Sequence, residues 1–531
     1  EPPMNPRVIS QPLGGNLLAA TVIGGSAPDS WYETAPRNVS SWRTRIESVR
    51  TGFAEDWLTR LAPAFEASGR AKERLEAASR GRGIVVTTGQ QPGLFGGPVY
   101  TLSKALSALA LADALEEAAG VPVAPVFWAA TDDTDFKEAS STSIAITGGA
   151  QLLRIDHPES LGRTMASMPL GDVSAQLEAL TRAAGSTIDI QPIDLLRRFY
   201  TNRETIGSAY VSFLRVLLAP LGVAVIDASH PATRAAAKPI LIDALHKAAD
   251  IATKVAERDR DIEQAGFALQ VPDVKGLSLV FSSGSGGRKR IPIKSAAKSS
   301  GSDDMGPNVL LRPVVERAIL PTVTYIGGPA EIAYFAQIAP IAGVLGVPRP
   351  MIVPRWSCTI IEPHVERILE KLHLLPEDLR DPHEVESGVA RARLPKSVLE
   401  ELNATRAFLE ERLEALSDAV AEGRAPVSPA VTGGLRANLM RRLDRFERRL
   451  IASVKKQHAE TMQEIGTARG SLYPFGKPQE RGLNFVPFLA RYGPALRDEM
   501  LLHARRHANS LVGGSNASGE LQETASARGG S

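Results

Sequence analysis

A chain of 531 residues exceeds one ordinary domain of about 100–200 residues, so more than one folded unit is expected. Its hydrophobic content of 43%, charged content of 23% and net charge of +2 are those of a globular protein with no general attraction for nucleic acid or a membrane surface. A single cysteine, Cys358, excludes an internal disulfide and a cysteine-based zinc site, and is expected to be a small core residue.

No run of about 20 apolar residues is present, and Glu1-Pro2-Pro3 lacks the basic and apolar regions of a signal peptide. The expectation is a cytoplasmic protein with small-molecule partners. After a start rich in Pro and Gly, Ser30 to Arg80 reads as helical, with Trp42, Ile46, Val49, Phe53, Trp57 and Leu61 at three- and four-residue spacings. Residues 1–80 are therefore expected to pack on a core that begins near 81.

Gly83-Ile84-Val85-Val86-Thr87-Thr88 is short, β-branched and bounded by glycine, as in a strand buried on both faces of a parallel sheet. It leads into Gly89-Gln90-Gln91-Pro92-Gly93-Leu94-Phe95-Gly96-Gly97-Pro98, with Pro98 suited to a first helical position. Val99 to Ala119, rich in Ala and Leu, then reads as a helix with a slim face for the sheet. Such a turn gathers free N–H groups at a helix start, so Gly96 and Gly97 are expected to hold an anion, and the Gln90 and Gln91 carboxamides to bind a small polar ligand. The spacing is neither a Walker A loop nor Gly-x-Gly-x-x-Gly, which leaves the ligand class open.

Val121 to Ala130 repeats the buried-strand pattern, and Thr131-Asp132-Asp133-Thr134-Asp135-Phe136 puts three carboxylates just past its end. Ligands bind at that end of open α/β sheets, where carboxylates could hold Mg²⁺ or accept a proton from an amine. Residues 144–200 alternate short strand-like and helical pieces, and Pro220 to Asp227 reads as a strand followed by a helix to about Ala265. The Ser, Gly and Lys of 282–306 suggest a mobile loop over the site, with Arg288, Lys289 and Arg290 as a solvated basic run.

The strand, Gly-Gly-Pro and helix arrangement then returns in Thr322-Val323-Thr324-Tyr325-Ile326-Gly327-Gly328-Pro329, with Glu331, Tyr334 and Gln337 in the following helix. Leu310-Leu311-Arg312-Pro313 and Ile352-Val353-Pro354-Arg355 each read as a strand-like run ended by an arginine, a fork suited to carboxylate or phosphate. Two glycine turns, the Asp cluster and these arginines define one expected pocket: Gly89, Gln90, Gln91, Gly96, Gly97, Arg312, Tyr325, Gly327, Gly328, Glu331 and Arg355.

Beyond Ile361, Leu409, Leu413, Leu416 and Val420, then Leu435, Leu439, Leu443, Phe446, Leu450 and Val454, recur every three or four residues amid dense charge. This predicts a helical hairpin over 361–466, turning at Gly423 to Gly434, whose narrow seam suits a homodimer. Residues 467–510 are expected to return to the core and 511–531 to form a disordered tail.

Thr88-Gly89-Gln90-Gln91 through Phe95-Gly96-Gly97-Pro98 with Tyr100 and Lys104, Pro125-Val126-Phe127-Trp128, Asp133, Asp135-Phe136, Leu311-Arg312-Pro313, Ile326 to Ile332, Tyr334, Val353-Pro354-Arg355, Gln479-Glu480-Arg481 and Tyr492-Gly493-Pro494 stand in the order in which the BshC family carries them. The chain resembles that family, the cysteine ligases of bacillithiol biosynthesis, over most of 80–500. The resemblance implies an α/β fold, a Rossmann-like parallel sheet core carrying an α-helical coiled-coil region, in an enzyme adding L-cysteine to the amino group of glucosaminyl-malate. It departs at Asp133-Thr134-Asp135 and Ala139-Ser140-Ser141, where the family pattern has histidines.

Amide formation needs an activated carboxylate and a base for the amine, so ATP or ADP and Mg²⁺ are expected cofactors, though no motif identifies either, and Asp133 and Asp135 are the expected bases. The alternatives are a catalytically silent protein binding a nucleotide or sugar-malate, or a ligase of another amine and acid pair.

Overall fold

The computed structural model describes residues 5–156, 162–284, 287–299, 304–423 and 428–513. Contacts divide the chain into one unit of 1–144, 152–360 and 479–531, and a second of 145–151 and 361–478.

The first unit is built on a five-stranded parallel sheet in the order Ile352–Pro354, Thr322–Gly327, Ile84–Gln90, Val123–Ala129, Ala224–Asp227. The chain lays down its first strand in the middle, adds two on one side, then crosses to add two on the other. That is the doubly wound order, and the reversal opens a crevice at the carboxyl ends between Ile84–Gln90 and Thr322–Gly327. Register brings Thr87 beside Tyr325 and Thr88 beside both Ile326 and Phe127. The first strand is buried through Gly89, as its continuous β-branched run requires.

Val99–Ala119 is buried almost all round through Leu115, because the Val486–Gly513 helix covers the side away from the sheet. The slim apolar face read from sequence is thus a fully enclosed helix, and Ser103, Lys104 and Ser107 go into the interior with it. Pro98 is its cap and not its first turn. Upstream, the predicted helical stretch is three helices, Val39–Thr51, Trp57–Phe65 and Gly69–Arg80, with Trp42, Ile46, Val49, Trp57 and Leu61 buried. The single helix expected after Asp227 is two, Pro231–His246 and Ala248–Gln264.

Over 282–306 the described residues depart from a loop. Leu277–Gly284 and Gly287–Pro292 pair antiparallel, and Met305–Pro307 pairs on the other edge. The polar composition hides a small apolar face, in which Val280, Ile291, Ala296 and Met305 are buried. Residues 285–286 and 300–303 of that expectation lie outside the described residues. Arg312 likewise opens a helix, Arg312–Ile319, where the sequence suggested a strand end; Pro313 in the first turn costs no hydrogen bond there.

The second unit contains Lys396–Glu422 and Pro429–Gln457, packed as a hairpin. Its second helix begins at Pro429 and continues through Gly433 and Gly434, so the turn is shorter than the glycines imply. Leu413 and Val454 are buried and Leu409, Leu439, Leu443 and Leu450 half-buried, whereas Leu416, Leu435 and Phe446 are exposed. Arg406 pairs with Asp444 at 2.8 Å and with Glu447 at 3.0 Å across the hairpin. The second unit runs to Pro478, later than the expected return at 467, because Ala459–Leu472 is one helix within it. The expected tail starts inside a helix that reaches Gly513; 514–531 lie outside the described residues.

Candidate functional site

A cavity of about 550 Å³ opens at the reversal of the sheet. Gly89, Gln90 and Gln91 line it from the central strand, Asp132 and Asp133 from the next strand's end, Tyr325, Gly328 and Glu331 from the other side, and Arg288 and Arg290 from the hairpin.

Its floor is ordered by Lys104. The ammonium donates to Gly89 O at 2.8 Å and Gln90 Oε1 at 3.0 Å and lies 2.6 Å from Glu331 Oε2, which uses all three of its donors. Burial pushes the Lys104 ammonium down, opposed by the Glu331 carboxylate. Burial alone would raise Glu331, but Lys104, the Gly328 N–H at 2.6 Å and the Tyr325 hydroxyl at 2.6 Å together hold its carboxyl below the usual range. With Lys104 fixing its carbonyl, the Gln90 amide presents Nε2 to the Tyr100 hydroxyl at 3.0 Å, and Tyr100 donates to Glu138 Oε1 at 3.0 Å. One hydrogen-bonded line thus runs from Tyr325 to Glu138.

Two arginines expected to greet substrate are already held. Arg312 donates to Glu316 at 2.8 Å and stacks over the Tyr325 ring at 4.9 Å, while the Thr87 hydroxyl donates to the other oxygen of Glu316. Arg355 forks onto Glu480 at 2.8 and 2.5 Å and is buried. Both line the cavity, but their charges are matched within the protein.

The glycine turns differ from expectation. Gly96 and Gly97 have φ of 86° and 85° and lie off the cavity, with their N–H groups spent on Gly93 O, the Tyr200 hydroxyl and Leu94 O. A Cβ on Gly96 would meet Phe213 and Phe485 at 2.7 and 2.9 Å, so the turn is a packing feature whose N–H groups are already taken. Gly327 is buried against Ile352 and also lies off the cavity. The Gly328 N–H is already met by Glu331: the helix start is occupied by its own N3 side chain, the one arm of a capping box that a glycine cap allows.

The Asp cluster separates. Asp133 lines the cavity, accepts the Asp135 N–H at 2.9 Å, and is raised above the ordinary carboxylate range chiefly by burial. Asp132 is tied to Arg288 at 3.1 Å. Asp135 is exposed, lies off the cavity and caps Phe136–Ala139 through the Glu138 N–H, a local role that overturns its assignment as a base. Glu138 takes its place at the cavity: the residue is exposed overall, yet desolvation on its cavity side raises its carboxyl while Tyr100 opposes the rise. Among the described residues no three His, Cys, Asp or Glu side chains converge on a common point for a metal. Cys358 is buried and its thiol pushed up by burial, as a core residue.

Sequence reasoning gave no role to Lys104, Glu138, Trp128 or Tyr100, and read Arg288 as solvated. A lysine amid the Ala and Leu of a buried helix was the available signal for the first. Arg288 is instead buried over the Phe281 ring at 4.3 Å and donates to Asp132 O and Pro307 O.

Two family descriptions match the chain. "Bacillithiol biosynthesis BshC, N-terminal Rossmann-like domain" matches residues 16–299 and 293–356, and "Bacillithiol biosynthesis BshC, C-terminal coiled-coil domain" matches 358–510. Three relatives bear the name "Putative cysteine ligase BshC". That of Koribacter versatilis is 31% identical over 88% of this chain and 90% of its own length, that of Solibacter usitatus 28% over 90% and 93%, and that of Salinibacter ruber 28% over 92% and 93%.

Proposed function

Because the chain belongs to the BshC family of bacillithiol biosynthesis, whose members carry the name cysteine ligase, we propose that its cavity joins the carboxyl carbon of L-cysteine to the amino group of glucosaminyl-malate. The observation that supports this most is Asp133: a carboxylate in the cavity, raised by burial and free of any ion pair among the described residues.

An ammonium is no nucleophile, so a base must take its proton, and a carboxylate raised toward neutrality takes it better than an ordinary one. Asp133 accepts that proton, with Glu138 as the second carboxylate of the cavity. The freed nitrogen lone pair attacks the acyl carbon of cysteine, the C–N bond forms, and the activated oxygen leaves with its electron pair. Gln90 and Gln91 orient the sugar-malate, Gln90 in the one sense that Lys104 permits. ATP with Mg²⁺ is part of the proposal and would supply the activation; the exposed Arg481 guanidinium at the cavity suits a phosphate oxygen.

Incubation of purified protein with glucosaminyl-malate, L-cysteine and ATP-Mg, followed by mass spectrometry, tests the reading. Bacillithiol is expected; its absence, when a histidine-containing relative forms it under the same conditions, refutes the substrate assignment. Thr134 and Ser140, standing where histidines were expected, favour a second reading of binding without turnover, which multiple-turnover ligation would exclude.

The proposal extends to a cytoplasmic homodimer. No described helix is long and apolar enough to cross a membrane, and a lone thiol suits a reducing compartment. Val431, Leu435 and Phe446 fall on one side of Pro429–Gln457 and are 57%, 44% and 53% exposed, a stripe that a second copy would cover.

A further inference from the structure

Five arginines line the cavity, and they differ in what holds them. Arg288, Arg312 and Arg355 each face a carboxylate of the protein, Asp132, Glu316 and Glu480. Arg481 is exposed, as surface arginines usually are. Arg290 fits neither description: it is half-buried, its Nε donates to Ser278 O at 2.8 Å, and its two terminal nitrogens have no bonded partner among the described residues.

The Arg290 terminal nitrogens are left open at the cavity, and such a fork matches the two oxygens of a carboxylate. A second observation points the same way. The Trp128 indole N–H is buried and has no hydrogen-bond partner among the described residues, and Trp128 lines the same cavity. Indole is a donor only, so what satisfies it must carry an acceptor.

Resting on the ligase reading above, we infer that Arg290, and neither Arg312 nor Arg355, holds a malyl carboxylate of the amine substrate in this cavity, with Trp128 Nε1 as a further donor to the same ligand. Burial also pushes the Arg290 guanidinium down, a desolvation penalty that an incoming carboxylate would offset. The site therefore selects an amine that carries an acid at a distance from the reacting nitrogen. Glucosamine without its malyl group would lack the contact.

Calorimetry on the full chain tests this with glucosaminyl-malate, its malyl dimethyl ester and inorganic phosphate as separate probes. Arg290→Gln should weaken glucosaminyl-malate about 10–100-fold, the range of a lost hydrogen bond to a charged group, and leave the weaker ester unchanged. Arg290→Lys should retain part of the affinity, and Lys289→Gln, exposed on the same strand, should retain all of it. Matching melting temperatures would show that the hairpin stays folded. Unchanged affinity for glucosaminyl-malate in Arg290→Gln overturns the inference and leaves the ligase reading standing. If wild type ignores glucosaminyl-malate but binds phosphate through Arg290, the substrate reading falls and Arg290 remains an anion-holding residue. Binding of no probe by wild type overturns both.

Discussion

Lys104 Nζ lies 2.6 Å from Glu331 Oε2, and this contact joins the central helix to the first turn of Pro329–Phe335 across the crevice of the sheet. Both side chains are buried or nearly so, at 4% and 17% exposure. Removing one partner of such a pair strands the other, at a cost of about 3–5 kcal/mol. Lys104→Met should therefore lower stability in chemical denaturation by that order, while Lys104→Met with Glu331→Gln should recover part of it. The folded-state pKa of Glu331 is depressed, so its contribution is present above the unfolded carboxylate pKa and is lost as pH falls through the folded value. Wild type should lose this increment in acid, and the double variant should not.

Asp133 and Asp135 are two residues apart and should behave oppositely on substitution. Asp133→Asn is expected to lower turnover by roughly 10²–10⁴, the range for a lost acid–base group. Its folded pKa is raised, so charge on Asp133 detracts from stability as pH rises through that value; the Asn variant should melt no lower than wild type at neutral pH. Asp135→Asn keeps a good helix cap and should leave turnover unchanged. The acid limb of the wild-type rate profile should lie above the ordinary carboxylate range and move in Glu138→Gln, as stopped-flow rates across pH would show.

Gly96→Ala separates packing from binding. The new Cβ would sit 2.7 Å from Phe213 Cε1 at a φ of 86° that side chains avoid. Overpacking alone costs about 1–3 kcal/mol, so the denaturation midpoint should fall, while ligand affinity in the variant that remains folded should hold.

On the hairpin, Phe446→Lys or Leu435→Lys places charge in the exposed stripe without touching the buried Leu413 or Val454. Analytical ultracentrifugation should show a wild-type dimer and monomeric variants with unchanged helix content. A wild-type monomer at micromolar concentration would contradict the dimer.

The sheet was legible because its strands are buried on both faces and so read as unbroken β-branched runs, as at Ile84–Thr88. The hairpin was legible because a three- and four-residue repeat survives dense charge. What composition concealed were elements whose order comes from partners remote in sequence. The strands within 282–306 look like a polar loop until Arg288 is seen to reach Asp132. Arg355 looks like a free fork until Glu480 arrives from 125 positions away; Arg312 is met by Glu316 only four residues on, a pairing hidden because 312 read as a strand end and not as a helix start. The glycine turns misled for a related reason: a strand, glycine and helix pattern shows where N–H groups gather, but not that Tyr200 and Glu331 already use them.

The coupling of the first unit's last segment to its central helix, and to the turn before it, also bears on synthesis. Gln479 bonds both the N–H and the C=O of Ile360 at 2.7 and 2.8 Å, Asn484 bonds Leu94 O and Phe95 O, and the Val486–Gly513 helix covers Val99–Ala119. A ribosome-bound chain that has made every strand of the sheet, but not yet residues 479–513, holds its central helix with an apolar side bare and Arg355 without its counter-charge. During that interval the nascent protein exposes apolar surface and lacks a finished site, so its greatest exposure to aggregation falls late in translation, after the sheet is complete.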